Sequence, residues 1–290
     1  MALMALMAWT GSWADLLNTM LCSKAMSKDS RRPRYSTISS LNDVQSCLSE
    51  ACIKLEDAEG LNLLYRGQAD ATWDLLPGAA RFYSSLQHEQ GATRRFKMKA
   101  QSRHSTLPPT EDWAAWLFVM QHYGHPTRLL DWTESFLAAL YFCVENPQHR
   151  EKDGAVWTLN SVRLNATTQQ NVGQRQQQTQ AAISLPFARS EAQDSQLLKA
   201  AAIAPQESDL RMLVQQAGFT IHGGWPIDPL NGIDDCEKFL WKFVVPSAKK
   251  EELYKILYRL GVRRSTLFPD LGNLAQEIKS LKMSMEGHNK

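Results

Sequence analysis

The stretch QHYGHPTRLLDWTESFLAALYF, residues 121–142, constrains the fold more than any other part of the chain. An apolar helical pattern leads into it, and Gly124 and Pro126 stop that helix. TRLLDW then predicts a short buried strand, and the apolar run after it predicts a second helix capped by Asp131 or Thr133. Two helix ends and a strand therefore meet within about twenty residues.

Strand and helix patterns interleave irregularly along the rest of the chain. GLNLLYRGQ, DGAVWTLN and EKFLWKFVVP predict strands. Helices are predicted for STISSLNDVQSCLSEACIKLE, for PPTEDWAAWLFVMQHYG with Thr110 as its cap, and for two segments near the carboxyl end. ESDLRMLVQQAGFTIHGG predicts a helix followed by a short extended piece. Because no regular strand–helix repeat appears, we expect an α+β fold, a single domain with a mixed, mostly antiparallel small sheet flanked by helices.

Domain boundaries follow from changes in composition. We expect residues 1–35 to be an extension, disordered or upstream of the true start, residues 36–283 to form the domain, and residues 284–290 to be a tail. The Gln-rich run NVGQRQQQTQAA, within about residues 161–200, predicts a surface insertion or a mobile loop. The first residues lack a basic segment and are interrupted by Asp15, which argues against a secretory signal or a membrane span.

Cysteine usage and charge limit the functional classes. The five cysteines are an odd number without a C-x-x-C pair, which favours free thiols in a reducing compartment. We therefore expect a cytoplasmic protein, and we also expect no membrane partner. The formal net charge of +2 is too small to indicate nucleic-acid binding by itself. One run, TRRFKMKAQSRH at residues 93–104, is basic without any acid, and it predicts either a solvated helix face or a phosphate-binding patch.

Familiar catalytic and metal-binding motifs are absent from the sequence. It contains no G-x-G-x-x-G, no P-loop, no H-E-x-x-H and no G-x-S-x-G. The seven histidines lack metal-ligand spacing, and Pro126 would splay His122 from His125, so we expect no metal site.

Two arginines are candidate anion-binding residues. Arg66 ends a strand directly before Gly67, where a ligand can approach the backbone. Arg128 lies in an apolar strand and needs a partner or an anion, because an uncompensated buried charge costs several kcal/mol. A salt bridge of either arginine with Asp131 and the binding of an anion both remain open. In a regular strand Arg128 and Asp131 would point to opposite faces.

LYRGQADATWDLLPGAAR and QHYGHPTRLLDWTESFLAALYF together closely resemble the FRG domain, which is named for an aromatic-Arg-Gly motif, here Tyr65-Arg66-Gly67. The resemblance continues through LRMLVQQAGFTIHG to GVRRSTLFPDLGNLAQEI, and so covers most of the chain from about residue 36. Phe136 stands where the family usually has Pro, and Gly78 where Ser is common. FRG domains resemble parts of bacterial and phage-associated mobile or defence loci.

The order of elements in this family also resembles that of ADP-ribosyltransferases, which implies NAD as a substrate. Arg66 would then hold a phosphate of NAD, and His122 or Tyr123 would orient the nicotinamide. The late Glu or Gln of such enzymes would be Gln216, with Gln215, Glu237 and Glu134 as alternatives. The predicted catalytic residues are Arg66, His122, Arg128, Asp131 and Gln216, and the predicted NAD-binding residues are Arg66, Gly67, Gln68, Gln121, Tyr123 and Thr127.

Three functions remain open from the sequence. The first, which we favour, is an NAD-consuming enzyme of the ADP-ribosyltransferase or NAD glycohydrolase type, acting as a bacterial or phage-related toxin or defence effector. The second is a nuclease or nucleic-acid-binding module, which the basic run supports and the near-neutral net charge opposes. The third is a non-catalytic regulatory binding module. The macromolecular target, protein or nucleic acid, and the oligomeric state are not set by the sequence.

Overall fold

One mixed sheet organises the chain in the computed structural model, which describes residues 35–104, 106–167, 172–188, 199–204 and 216–286. Its seven strands run in the order β1-β7-β4-β2-β3-β6-β5, and within this described part only the β1–β7 pair is parallel. The strands are β1 Tyr35–Thr37, β2 Leu63–Gln68, β3 Leu129–Thr133, β4 Gly154–Asn160, β5 Ala200–Ile203, β6 Ala217–His222 and β7 Leu240–Val245.

Ten α-helices of the described chain pack around this sheet. They are α1 Asp43–Lys54, α2 Gly78–Phe82, α3 Leu86–Ala100, α4 Trp113–His122, α5 Phe136–Val144, α6 Ser161–Thr167, α7 Val172–Ser184, α8 Ser247–Arg259, α9 Arg264–Leu267 and α10 Leu271–Glu286. The predicted α+β class, with a mixed and mostly antiparallel sheet flanked by helices, is confirmed.

Period-two alternation divides the buried side chains between the two faces of the sheet. On β4, Val156 packs with α5, while Ala155 and Trp157 belong to a second apolar cluster. The pairing of Tyr65 with Thr133 places the α5 cluster on the same face as a third cluster, which α4, α7 and β6 form. Two cores therefore lie side by side on one face, and a site can form between them.

The sheet is weakly joined at its centre, between β2 and β3. β2 pairs with β4 over six residues, and β3 pairs with β6 over five. Between β2 and β3 the register contains a single pair, Tyr65 with Thr133. The two strands diverge beyond this pair, and the gap lies on the face between the two cores.

Three expectations about local structure need correction. α4 is capped by Asp112, which accepts from the N–H of Ala115, and not by Thr110. α5 is capped by Ser135, because β3 continues to Thr133 and keeps Asp131 and Thr133 in the strand. The Gln-rich run forms α7 rather than a loop, since Gln and Ala favour helices and the residues at its end, Ala182 and Ile183, are buried.

Some sequence expectations lie outside the described residues. These are the extension at residues 1–34, the helix expected near residues 207–215, and the end of the tail from residue 287. Among the helices that the structure describes, none combines the length and the apolar character needed to cross a membrane.

His222 in β6 makes stability depend on pH. Its side chain is fully buried, and burial lowers its pKa to about 3. In the unfolded chain the pKa of a histidine is about 6.5, so the unfolded state takes up a proton at His222 at a higher pH than the folded state does. The contribution of neutral His222 to the free energy of unfolding is therefore present above about pH 6.5 and is lost as the pH falls. Burial also lowers the pKa of His125, which adds to the loss.

We expect the free energy of unfolding to fall by about 1.5 kcal/mol or more between about pH 6.5 and about pH 5. Chemical denaturation at each pH measures it. His222→Gln removes the buried imidazole and leaves only the half-buried His125, so the slope of its stability against pH should be clearly smaller. An unchanged slope in this variant would show that His222 is not responsible.

Candidate functional site

A cleft of about 310 Å³ opens where β2 and β3 diverge, between the two cores. Alternation along the strands explains its floor, because Asp131 pairs with Phe219 and Thr133 with Ala217 on this face. The residues that line it are Tyr65, Arg66, Gly67, Phe118, Gln121, His122, Asp131, Trp132, Thr133, Phe142, Ala217, Phe219 and Phe268.

Arg66 bridges the gap between the diverging strands. Its Nη1 donates to the backbone oxygen of Asp131 at 2.7 Å and lies 3.8 Å from Oδ2 of the same residue. Its Nε is buried and donates to no acceptor in the described part of the chain. Burial lowers the pKa of Arg66, the charge of Asp131 raises it, and the nearby cation Arg81 lowers it. The guanidinium remains charged at neutral pH, and the Arg66 side chain as a whole is 21 % exposed and lines the cleft.

A polar relay fixes the Asp131 carboxylate in the cleft. Nε2 of Gln121 donates to both carboxylate oxygens at 2.9 Å, and Oε1 of Gln121 accepts from the Thr127 hydroxyl. The Thr127 side chain is buried and also accepts from the N–H of Leu129. The carboxylate itself stays 56 % exposed, so it is held in place and still open to a ligand.

A second cleft, of about 400 Å³, shares Arg66, Gln121 and Asp131 with the first. It adds the cation Arg81, the helix start at Gly78 and the ring of His125. Nε2 of His125 lies 3.2 Å from the Tyr83 hydroxyl. The two clefts together present two arginines and one carboxylate to a ligand that extends across both.

Gly67 is required by packing rather than by a ligand. A Cβ at this position would lie 1.9 Å from the carbonyl oxygen of Ala139 and 2.7 Å from the N–H nitrogen of Cys143. α5 therefore lies directly on the backbone of β2. Gly67 also lines the cleft.

Arg128 and Gln68 are not brought into the cleft, which corrects our expectation for both. Arg128 is fully buried and forms a fork with Glu89, with N···O distances of 3.0 and 2.5 Å, and its Nη1 donates to the backbone oxygen of His222. Alternation turns it away from Asp131. Gln68 accepts from the indole of Trp157 and donates to a backbone oxygen.

Tyr123 and Gln216 also lie away from the cleft walls. Tyr123 is 58 % exposed and lines a different pocket. Gln216 is exposed in the turn before β6, with a φ of 47°, and its backbone oxygen accepts from the N–H of Glu134. Glu134 and Glu237 are exposed as well, and neither lines the cleft, while Gln215 lies outside the described residues. The only carboxylate among the cleft-lining residues is Asp131.

Sequence reasoning missed the aromatic walls and the second cation. Phe118 lies one helical turn before Gln121 and His122 on α4, a spacing that could have indicated a shared face. Phe142, Phe219 and Phe268 come from separate elements, so no local pattern connects them. Arg81 follows Gly78 closely in the chain, and its basic charge after a Pro-Gly turn was the available signal.

A comparison with family models decides the assignment of this region. Residues 61–152 match the FRG domain. This FRG segment contains β2, α4 and β3, and with them Arg66, Gln121, His122 and Asp131. The expected resemblance to the FRG family is thereby confirmed for this segment, while its continuation to residue 283 and the likeness to ADP-ribosyltransferases stay predictions. No curated protein and no solved structure matches the chain.

Proposed function

We propose that this FRG-domain protein consumes NAD, as an ADP-ribosyltransferase or an NAD glycohydrolase. The observation that carries the proposal is the pair of Arg66 and Asp131 at the centre of an aromatic cleft. Cleavage of the N-glycosidic bond between ribose and nicotinamide is favoured by an anionic group near the ribose carbon, and binding of the diphosphate is favoured by a cation. The cleft offers both within one hydrogen-bonded unit.

Binding would extend across both clefts. The diphosphate would contact the exposed part of Arg66, whose fork geometry suits phosphate oxygens, and Arg81 would add a second positive charge. The apolar rings of Phe118 and Phe219 form a wall suited to the flat nicotinamide ring. His122, which also lines this cleft, would help to orient that ring.

The chemical step would break the bond between the ribose C1′ and the nicotinamide nitrogen. The bonding electron pair leaves with nicotinamide, which becomes neutral, and C1′ becomes positively charged. The Asp131 carboxylate, held by Gln121, would stabilise this charge. Water or an acceptor nucleophile then attacks C1′ and gives its proton to Asp131 or to solvent. The products are nicotinamide and either ADP-ribose or an ADP-ribosylated target.

The test is release of nicotinamide from NAD by the purified protein, measured by chromatography, together with mass shifts on added target proteins or nucleic acids. Asp131→Asn should lower kcat by about 100-fold or more, because the stabilising charge is lost. Arg66→Ala should raise KM by about 10- to 100-fold, because a charged hydrogen bond to phosphate is lost. Arg66→Lys should restore only part of the affinity, because Lys lacks the fork.

Asp235→Asn is the matched control for Asp131→Asn. Asp235 is also an exposed carboxylate, 54 % accessible, and its left-handed backbone suits Asn. It lines neither cleft, so its activity should equal that of the wild type. A wild type that releases no nicotinamide, or an Asp131→Asn variant of full activity and normal folding, would refute the proposal.

The likeness of FRG domains to parts of phage-associated loci supports a role as a toxin or defence effector. Expression of the wild type in bacteria should then lower cellular NAD and arrest growth, and Asp131→Asn should do neither. Growth arrest of equal extent by both proteins would separate toxicity from this chemistry.

A further inference from the structure

A separate pocket of about 540 Å³ lies between α3, α4 and the chain that connects them. We call it the basic pocket. Its interior is apolar, and Ala92, Phe96, Leu107 and Val119 contribute to it. Nothing in the proposed NAD chemistry uses this pocket, and four of the six basic side chains in the run at residues 93–104 line it.

The rim of the basic pocket is positively charged. Arg95, Lys99, Arg103 and His104 line it and are exposed, and no Asp or Glu is among the lining residues. Arg103 and His104 contact nearby backbone oxygens, and Arg95 and Lys99 form no ion pair with any carboxylate that the structure describes. A patch of this kind attracts anions.

The neighbouring basic residues of the run behave differently. Arg94 donates to the backbone oxygen of Ala188, and Lys97 donates to that of Thr110 and lies over the ring of Trp116. These two side chains tie α3 to the rest of the fold. Helical spacing therefore separates structural cations from Arg95 and Lys99, which face the pocket together.

Aromatic rings line the same pocket. Tyr123 is 58 % exposed, with its ring centroid 6.0 Å from that of His104. The ring of Phe96 lies 5.0 Å from that of His125. An exposed ring beside an apolar hollow is a surface on which a flat base can stack.

The cations form a row rather than a point. Arg95 and Lys99 are one turn apart on α3, about 6 Å along the axis, and Arg103 follows just after the helix ends. A single carboxylate or phosphate head group would engage only one part of this row. A chain of phosphates, with flat apolar bases between them, matches both the row and the aromatic pocket.

We propose that the basic pocket binds single-stranded nucleic acid, with a base stacked on Tyr123 and the flanking phosphates on Arg95, Lys99 and Arg103. The small net charge of the chain does not oppose this, because the phosphates meet the local row and not the whole protein. His125 lines both the basic pocket and the second cleft, so a bound strand would lie beside the cleft that Arg66 and Asp131 also line. The proposal does not depend on NAD turnover.

The experiment measures binding of fluorescent single-stranded DNA and RNA oligonucleotides of about 12 nucleotides to the purified full chain without NAD. Fluorescence anisotropy at several salt concentrations gives the affinity and its salt slope. We expect binding that weakens with salt, and weaker binding of the matching duplex, whose bases are not free to stack. Anionic lipid vesicles and free inorganic phosphate serve as competitors and should not displace the oligonucleotide at equal phosphate concentration.

Two variants separate the charges from the stacking. Arg95→Ala/Lys99→Ala should lower the slope of log K against log salt by about 1.4, since each lost phosphate contact removes about 0.7. Tyr123→Ala should weaken binding about tenfold with an unchanged slope, and Tyr123→Trp should restore it. The matched control is Lys249→Ala/Lys255→Ala on α8, which removes the same charge from another surface and should bind like the wild type.

Three results would overturn the proposal: no measurable binding, equal losses in the two double variants, or vesicles that bind in a Tyr123-dependent manner while the oligonucleotide does not. Unfolding temperatures within a few degrees of the wild type show that each variant is folded. Failure of this experiment leaves the nicotinamide-release test unaffected, and the reverse is also true.

Discussion

Gly67→Ala should lower the free energy of unfolding by about 3 kcal/mol or more, and we expect little native protein. The added methyl group would meet the carbonyl oxygen of Ala139 at 1.9 Å and the backbone nitrogen of Cys143 at 2.7 Å. Both atoms belong to the backbone of α5, so no side chain can rotate away. The helix would have to move, and with it the core that packs beneath it. Soluble yield and thermal unfolding measure the effect.

Gly91→Ala provides a matched control in α3. A Cβ at Gly91 meets no atom within 4 Å, so the same substitution there should raise stability by about 0.5–1 kcal/mol through helix propensity alone. The opposite signs test the close approach of α5 to β2. A Gly67→Ala variant as stable as the wild type would contradict the close contact between α5 and the backbone of β2.

Glu89→Ala should lower the free energy of unfolding by about 3–5 kcal/mol. Glu89 and Arg128 are both buried and form a two-pronged ion pair. Removing the carboxylate leaves the buried guanidinium without an anion, and its one remaining acceptor in the described residues is the neutral backbone oxygen of His222. Urea unfolding monitored by tryptophan fluorescence measures the loss.

Two comparisons make this prediction specific. Replacing both partners, Glu89→Leu with Arg128→Met, should recover much of the stability, because no unpaired charge remains. The exposed pair of Arg150 and Glu251, with an N···O distance of 2.8 Å, has the same chemistry at the surface. Glu251→Ala should therefore cost less than about 1 kcal/mol. Equal losses at the two pairs would contradict the role of burial.

The sequence alone was sufficient to predict the strands and helices that surround the site. The alternation in TRLLDW correctly predicted that Arg128 and Asp131 point to opposite faces. The same alternation places Leu129 in one core, and Leu130 and Trp132 in another. The cap of α5 was misplaced because Asp131, Thr133 and Ser135 all suit an N-cap, and only the length of β3 decides among them. Such a choice depends on strand pairing, which local pattern does not contain.

The partner of Arg128 could not be found in the same way. We considered Asp131, three residues away, but Glu89 is separated from Arg128 by 39 positions. Glu89 lies on a helix whose sequence is mostly polar and basic, so nothing in that sequence indicated that Glu89 is buried. Long-range pairs of this kind follow from how α3 packs against the sheet, and a local pattern does not encode that packing.

The candidate site was predictable in its polar part only. Arg66, Gln121, His122 and Asp131 were expected together and do line one cleft. These residues meet at a gap in the sheet, and the alternation of apolar and polar residues in β2 and β3 does not reveal such a gap. The same gap explains why rings from several elements gather there and why they were missed.

The single residue pair between β2 and β3 has a thermodynamic consequence. Tyr65 and Thr133 form the only ladder pair between two parts of the described sheet, and Arg66 adds a bond from its side chain to the backbone of Asp131. A ligand that draws Nη1 of Arg66 away must break this cross-link. For such a ligand, binding in the cleft and separation of β2 from β3 are coupled. Binding shifts the equilibrium of strand separation by a certain factor, and separation shifts the affinity for the ligand by the same factor.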